Sequence, residues 1–150
     1  MKIGLNATCF NNRPSGAKQR FKGLYNELFN IMQDDEFIIF QPSDCCLKKW
    51  FNQPNIRFMN TPIPSEGRIL KYIQGSIFWK NLLKKEKLDL FECFNLPSIL
   101  NPFGSTIQTV HDVRSMHSNS IFIEKIISHH VHNKTVKRTE KIITVSKTMK

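Results

Sequence analysis

Short apolar runs alternate along this chain with longer stretches of helical spacing, and that alternation leaves few folds open. Strand, helix, strand order joins parallel strands through crossover units, so the expected architecture is a doubly wound, parallel α/β sheet of about six strands. The strand candidates are Lys2–Phe10, Glu36–Gln41, Asn55–Asn60, Leu88–Phe94, Thr106–Val110 and Ile142–Val145. Helical spacing runs through Ala17, Phe21, Leu24, Leu28 and Met32, through Arg68–Lys87, and through Ile121–Glu140. Cys45–Phe51 reads as a short helix or a loop. A length of 150 residues, 40% hydrophobic and 23% charged, fits one globular domain with a sizeable core. No internal repeat or low-complexity linker divides it.

In an open sheet of this kind, chemistry gathers where the strands end. The fifth strand runs directly into His111-Asp112-Val113-Arg114, with His117 close behind. His111 there serves either as a structural residue or as a hydrogen-bond donor, acid or base near neutral pH. The first strand runs into Asn11-Asn12-Arg13-Pro14-Ser15-Gly16 and then a helix that Ser15 or Gly16 can cap. A strand, a glycine-bearing loop and a helix start together suit phosphate, because unpaired backbone amides face the ligand. The sequence equally allows a tight turn that uses Gly16 for its positive φ. No G-x-G-x-x-G or Walker pattern is present. Lys18 and Arg20 oppose the helix dipole in that first turn, which favours an anion nearby. The fourth strand ends in the turn-rich loop Asn95–Gly104, a natural binding surface, and the last strand ends in Ser146.

Twenty-two basic against 12 acidic residues give a net charge of +10, which favours phosphate-bearing small molecules, anionic lipid surfaces or nucleic acid. The basic helical stretch Arg68–Lys87, with Trp79, reads as a core-packing helix or as one lying on an anionic membrane. Nucleic-acid binding is disfavoured, because the aromatics sit in apolar patterns instead of alternating with Lys and Arg on a sheet face. Cys9, Cys45, Cys46 and Cys93 lack paired metal spacing and read as reduced thiols of a cytoplasmic protein. His129, His130 and His132 lack a further ligand at helical spacing, so no metal is expected. The N-terminus lacks a signal peptide's apolar region, and no run approaches the roughly 18 apolar residues of a membrane span.

Taken together, Ser15-Gly16-Ala17-Lys18-Gln19-Arg20-Phe21, His111-Asp112-Val113-Arg114-Ser115-Met116-His117 and Lys141-Ile142-Ile143-Thr144-Val145-Ser146 resemble the amino-terminal domain of family 4 glycosyltransferases. The resemblance covers nearly the whole chain. It implies the acceptor-side half of a GT-B fold, whose two Rossmann-like domains face each other across a cleft, in a retaining enzyme that uses no metal or other cofactor. Gly16 matches the glycine whose backbone approaches the donor diphosphate, with Lys18 and Arg20 beside it. His111 matches the histidine facing the transferred sugar, where it stabilises charge in an oxocarbenium-like transition state. Asp112 and Arg114 match loop supports or acceptor contacts, and Ser146 the serine ending the last strand; Asn95, in the loop after the fourth strand, is a further donor- or acceptor-binding candidate. Many members carry two glycines in the first loop, whereas this chain has only Gly16.

The substrates so implied are a UDP- or GDP-sugar donor and a glycan or lipid-linked acceptor, with the protein in the cytoplasm or peripheral at the inner face of the membrane. The family's carboxy-terminal domain, which grips the nucleotide, has no counterpart in these residues, so the 150 residues alone are expected to transfer little or no sugar. Because the sequence stops at the first turn of a new helix, a truncated chain or one half of a split enzyme is expected. Two other classes compete: an acceptor-binding subunit of a split glycosyltransferase, and a basic module for anionic surfaces or nucleic acid. A dinucleotide-dependent oxidoreductase is disfavoured by the missing glycine fingerprint.

Overall fold

A computed structural model describes residues 1–66, 68–94, 99–110, 129, 130, 133, 135–137 and 139–144, with the backbone alone at 68–74, 76 and 77. Six strands form one sheet: β1 (Lys2–Asn6), β2 (Glu36–Gln41), β3 (Ile56–Asn60), β4 (Leu90–Cys93), β5 (Ser105–Val110) and β6 (Lys141–Thr144). Their spatial order is β3-β2-β1-β4-β5-β6, and all five pairings are parallel. This is a doubly wound, Rossmann-like sheet. Successive strands step away from β1 on one side and away from β4 on the other, so the order reverses between β1 and β4.

Strand alternation sorts the core into two layers. Ile3, Leu5, Phe37 and Ile39 face α1 (Gly16–Ile31), which presents Phe21, Tyr25 and Phe29. Ile38, Phe40, Phe91 and Cys93 face α2 (Arg68–Glu86), which presents Trp79 and Leu83. Aromatic rings carry much of both layers: Phe21 meets Phe94 edge to face at 5.0 Å, and Trp79 meets Phe40 likewise at 5.3 Å. The α1 stripe differs from the sequence expectation, for Leu24 is 41% exposed while Tyr25 and Phe29 are buried. Both registers fit a helical period, and the larger rings bury more area. In α2, Trp79 is 3% exposed and packs in the core, and no described helix is long and apolar enough to cross a membrane.

Two strands are shorter than their apolar runs. β1 stops at Asn6 because Asn6 Oδ1 accepts from the Thr8 amide at 3.3 Å and the Thr8 hydroxyl at 2.7 Å, turning the chain at once. Before β4, Lys87 adopts φ 49° and ends α2 left-handed, so Leu88 is buried in a connection instead of a strand. The ambiguous stretch after β2 forms a single 3₁₀ turn, Lys48–Trp50. Helical backbone recurs at 129, 130, 133, 135 and 136, within the third expected helix.

The amino-terminal end of the sheet is held by ionic contacts. Glu86, 8% exposed, accepts from Arg57 at 2.6 Å and from Lys2 Nζ at 3.0 Å. Beside it lies a cavity of about 380 Å³ lined by Asp34, Asp35, Glu36, Asn55 and Arg57 among others. It sits at the opposite end from the strand termini where folds of this class bind ligands.

Candidate functional site at the carboxyl ends of the strands

Because every strand is parallel, β1, β4, β5 and β6 all finish at one edge. Asn6 pairs with Cys93, so β1 and β4 end level; β5 runs two residues beyond Gln108, the partner of Cys93, and ends level with β6, Val110 beside Thr144. The loop after β1 and the chain leaving β4 therefore flank the point where strand order reverses.

The β1 loop is built from local hydrogen bonds. Asn11 Oδ1 accepts from the Arg13 amide at 3.0 Å, while Asn11 Nδ2 donates to Glu66 at 3.0 Å and Arg13 pairs with Glu66 at 3.5 Å. The loop is thereby tied to the segment leading into α2. Ser15 caps α1: its backbone is extended and its Oγ accepts from the Lys18 amide at 3.2 Å. Gly16 is the first helical residue, and its φ lies outside the positive range. The tight-turn account of Gly16 is thus corrected. A Cβ there would meet nothing within 4 Å, so the fold itself makes no demand for glycine at this position.

Lys18 and Arg20 do not act together. Two residues apart on a helix they point to opposite flanks. Lys18 Nζ donates to the Arg13 carbonyl and lies 5.6 Å from the Trp50 ring centroid, toward the β2 side. Arg20 is half-buried, and its charge reaches Glu92 of β4 and Tyr25. His111, which follows the end of β5 by one residue, and Asp112, Arg114, Asn95 and Ser146 lie outside the described residues.

Under this edge lies a belt of buried polar groups that sequence reasoning passed over. Glu92, 7% exposed, accepts from the Tyr25 hydroxyl and from Thr109 Oγ1, the latter at 2.5 Å. Burial pushes the Glu92 carboxyl above its ordinary pKa, against the pull of Thr109, Tyr25 and Arg20. Burial likewise raises the Tyr25 hydroxyl and pushes the Cys93 thiol up to about 12, so both stay protonated at neutral pH. Gln108, fully buried, donates to the Cys93 and Thr109 carbonyls, each at 3.0 Å. Asn6 is fully buried, and its Nδ2 has no partner among the described residues. The signal was a polar residue inside each apolar run: Asn6 after Leu5, Glu92 between Phe91 and Cys93, and Gln108 after Ile107.

These groups brace the strand ends and stiffen whatever loops they carry. Among the described residues no group of three His, Cys, Asp or Glu is placed to hold a metal, His129 and His130 are exposed, and none of the four cysteines is in a disulfide. No protein-family model matches the chain, and no curated protein matches it either.

Proposed function

We propose that residues 1–150 are the acceptor-side domain of a retaining, GT-B-type glycosyltransferase that moves a sugar from a nucleotide donor to a glycan or lipid-linked acceptor. The observation that carries this reading is the parallel order β3-β2-β1-β4-β5-β6, in which the strands preceding Ser15-Gly16, His111 and Ser146 end at one edge. The unfilled space around Gly16 supports it, because a backbone bare of Cβ allows close approach by a diphosphate. In this reading His111 contacts the transferred sugar, Gly16 and the α1 amides meet the donor diphosphate, Lys18 and Arg20 add positive charge from opposite flanks of α1, and Asn95, Asp112, Arg114 and Ser146 shape the acceptor side. Transfer requires a second, nucleotide-gripping domain in addition to these residues, in cis or from a partner chain.

The test is saturation-transfer NMR on the purified protein with UDP- and GDP-sugars and with oligosaccharide and lipid-diphosphate acceptors, comparing Gly16→Ala and His111→Ala. Gly16→Ala leaves the unfolding midpoint unchanged or higher, while weakening diphosphate contact. His111→Ala reduces contact with the sugar. An absence of signal from every donor and acceptor, or variants that bind like the parent, would refute the assignment. Robust sugar transfer by the 150 residues alone would refute the need for a second domain.

A further inference from the structure

We propose that the cleft between α1 and the 3₁₀ turn is a binding site for a compact, multiply charged phosphate anion. The cleft encloses about 170 Å³ and is lined by Asn12, Lys18, Gln19, Lys22, Lys49 and Trp50. Three lysines and two amide-bearing residues thus line one small volume, and no acidic residue is among its lining. The cations come from two elements. Lys18 and Lys22 stand one turn apart on α1, and Lys49 approaches from the turn after β2.

Like charges brought together repel, and a fold gains nothing from such a cluster unless an anion joins it. Among the described residues none of the three lysines has an ion-pair partner. Two of them reach the same group: the buried Cys45 thiol, raised by burial, is pulled the other way by Lys18 and Lys49. The nearby Asp44 carboxylate accepts from the Ser65 amide at 2.9 Å and the Ser65 hydroxyl at 2.8 Å, away from the lysines' cleft.

Part of the site is held in place before any ligand arrives. Lys18 Nζ is anchored by the Arg13 carbonyl and by the Trp50 ring, 5.6 Å from its centroid. Asn12 Oδ1 accepts from the Cys45 thiol at 3.3 Å, which leaves the Asn12 amide nitrogen as the donor toward the cleft. Trp50 itself rests on Phe10 and Phe21, with centroids at 6.3 and 6.5 Å. Holding the donors in position lowers the entropy lost on binding.

The shape decides the size of the anion. A nucleic-acid strand is followed by an extended basic groove with several stacking rings, whereas this cleft is short and offers one. A diphosphate or a phosphorylated small molecule matches a small cleft lined by three lysines. The site opens on the flank of α1 opposite Arg20; it shares Lys18 with the donor-diphosphate reading, while Lys22 and Lys49 belong to it alone.

The experiment is isothermal calorimetry of the purified protein with inorganic pyrophosphate. One site per chain is expected, with affinity falling as salt rises. Lys22→Ala/Lys49→Ala, two exposed positions, weakens binding at least about tenfold with an unchanged circular dichroism spectrum. Lys80→Ala/Lys84→Ala, exposed on α2, removes the same charge elsewhere and leaves binding as it was. Trp50 emission responds to the ligand and Trp50→Phe abolishes that response, since the other tryptophan, Trp79, is sealed in the core. No binding at millimolar pyrophosphate overturns the proposal, as does equal weakening by the two double variants, which would mark a general charge effect. Heparin or duplex DNA bound without competition from pyrophosphate also overturns it in favour of a polymer surface. Lys22→Ala/Lys49→Ala leaves Gly16, Lys18 and Arg20 in place, so pyrophosphate binding that survives this change overturns the cleft proposal without touching the glycosyltransferase reading.

Discussion

Replacing Gly104 by alanine should be among the most damaging single changes this fold can suffer. Gly104 immediately precedes β5, and a Cβ built on it would stand 2.1 Å from the Asp89 carbonyl oxygen and 2.6 Å from the Leu88 carbonyl oxygen. Both obstacles are backbone, so no rotamer change relieves them, and the shortfall from ordinary contact at 3.4 Å exceeds an ångström. The chain must therefore retreat from the segment leading into β4. Three contacts depend on that closeness: the Ser105 amide to the Asp89 carbonyl at 2.9 Å, the Asn101 side chain to the Leu88 carbonyl at 2.8 Å, and the Asn101 amide to Thr106 Oγ1 at 2.9 Å. Overpacking costs about 1–3 kcal/mol, and a buried group left without its partner costs about as much again, so a loss of roughly 2–5 kcal/mol is expected. At this chain length that lowers Tm by about 5–20 °C.

Urea unfolding followed by circular dichroism measures the loss directly, with Gly23→Ala as the control. Gly23 lies exposed in α1 with nothing within 4 Å of its virtual Cβ, so alanine there stabilises by about 0.5–1 kcal/mol through helix propensity. A Gly104→Ala protein within 1 kcal/mol of the parent would show that β5 does not need this close approach, and the packing argument would fail. The same change also displaces the start of the strand that leads to His111, so any ligand response read there should weaken with it.

Two buried carboxylates make opposite predictions with pH. Burial alone would raise Glu86, but hydrogen bonds from Arg57 and Lys2 outweigh it and hold the carboxyl below its ordinary range. Its stabilisation is complete above the unfolded-state value near 4.3 and is lost as pH falls through the lower folded-state value. Glu86→Gln should cost about 1–2 kcal/mol at neutral pH, moderated by the partial exposure of Arg57 and Lys2, and should flatten the acid limb of a stability profile; an unchanged limb would remove Glu86 from the account. Glu92 is raised instead, so its contribution is present below the ordinary carboxylate value and is lost as pH rises through the folded-state value. Glu92→Gln keeps an acceptor for Tyr25 and Thr109, and should equal or exceed the parent in stability at pH 7 while losing that advantage near pH 4; thermal melts at the two pH values check the sign.

Much of the architecture was already written in local chemistry. Alternating apolar runs and helical stretches determined an α/β sheet, since a strand followed by a helix and another strand packs only as a parallel crossover unit. Ser15 as helix cap follows from its hydroxyl and the amides beyond it, and β2 coincides with its apolar run, Glu36–Gln41. What one residue meets across the fold was not legible there. The pairing of Glu92 with Tyr25 joins residues 67 apart, and the grip of Glu86 on Lys2 spans 84. The burial of Phe29 in place of Leu24, the separate flanks taken by Lys18 and Arg20, and the meeting of Lys49 with Lys22 depend on how α1 lies on the sheet. Local spacing determines which elements form, because their hydrogen bonds close within a few residues. Which side chains then share a site is decided by strand order and helix docking, whose energies come from contacts that no short stretch of sequence contains.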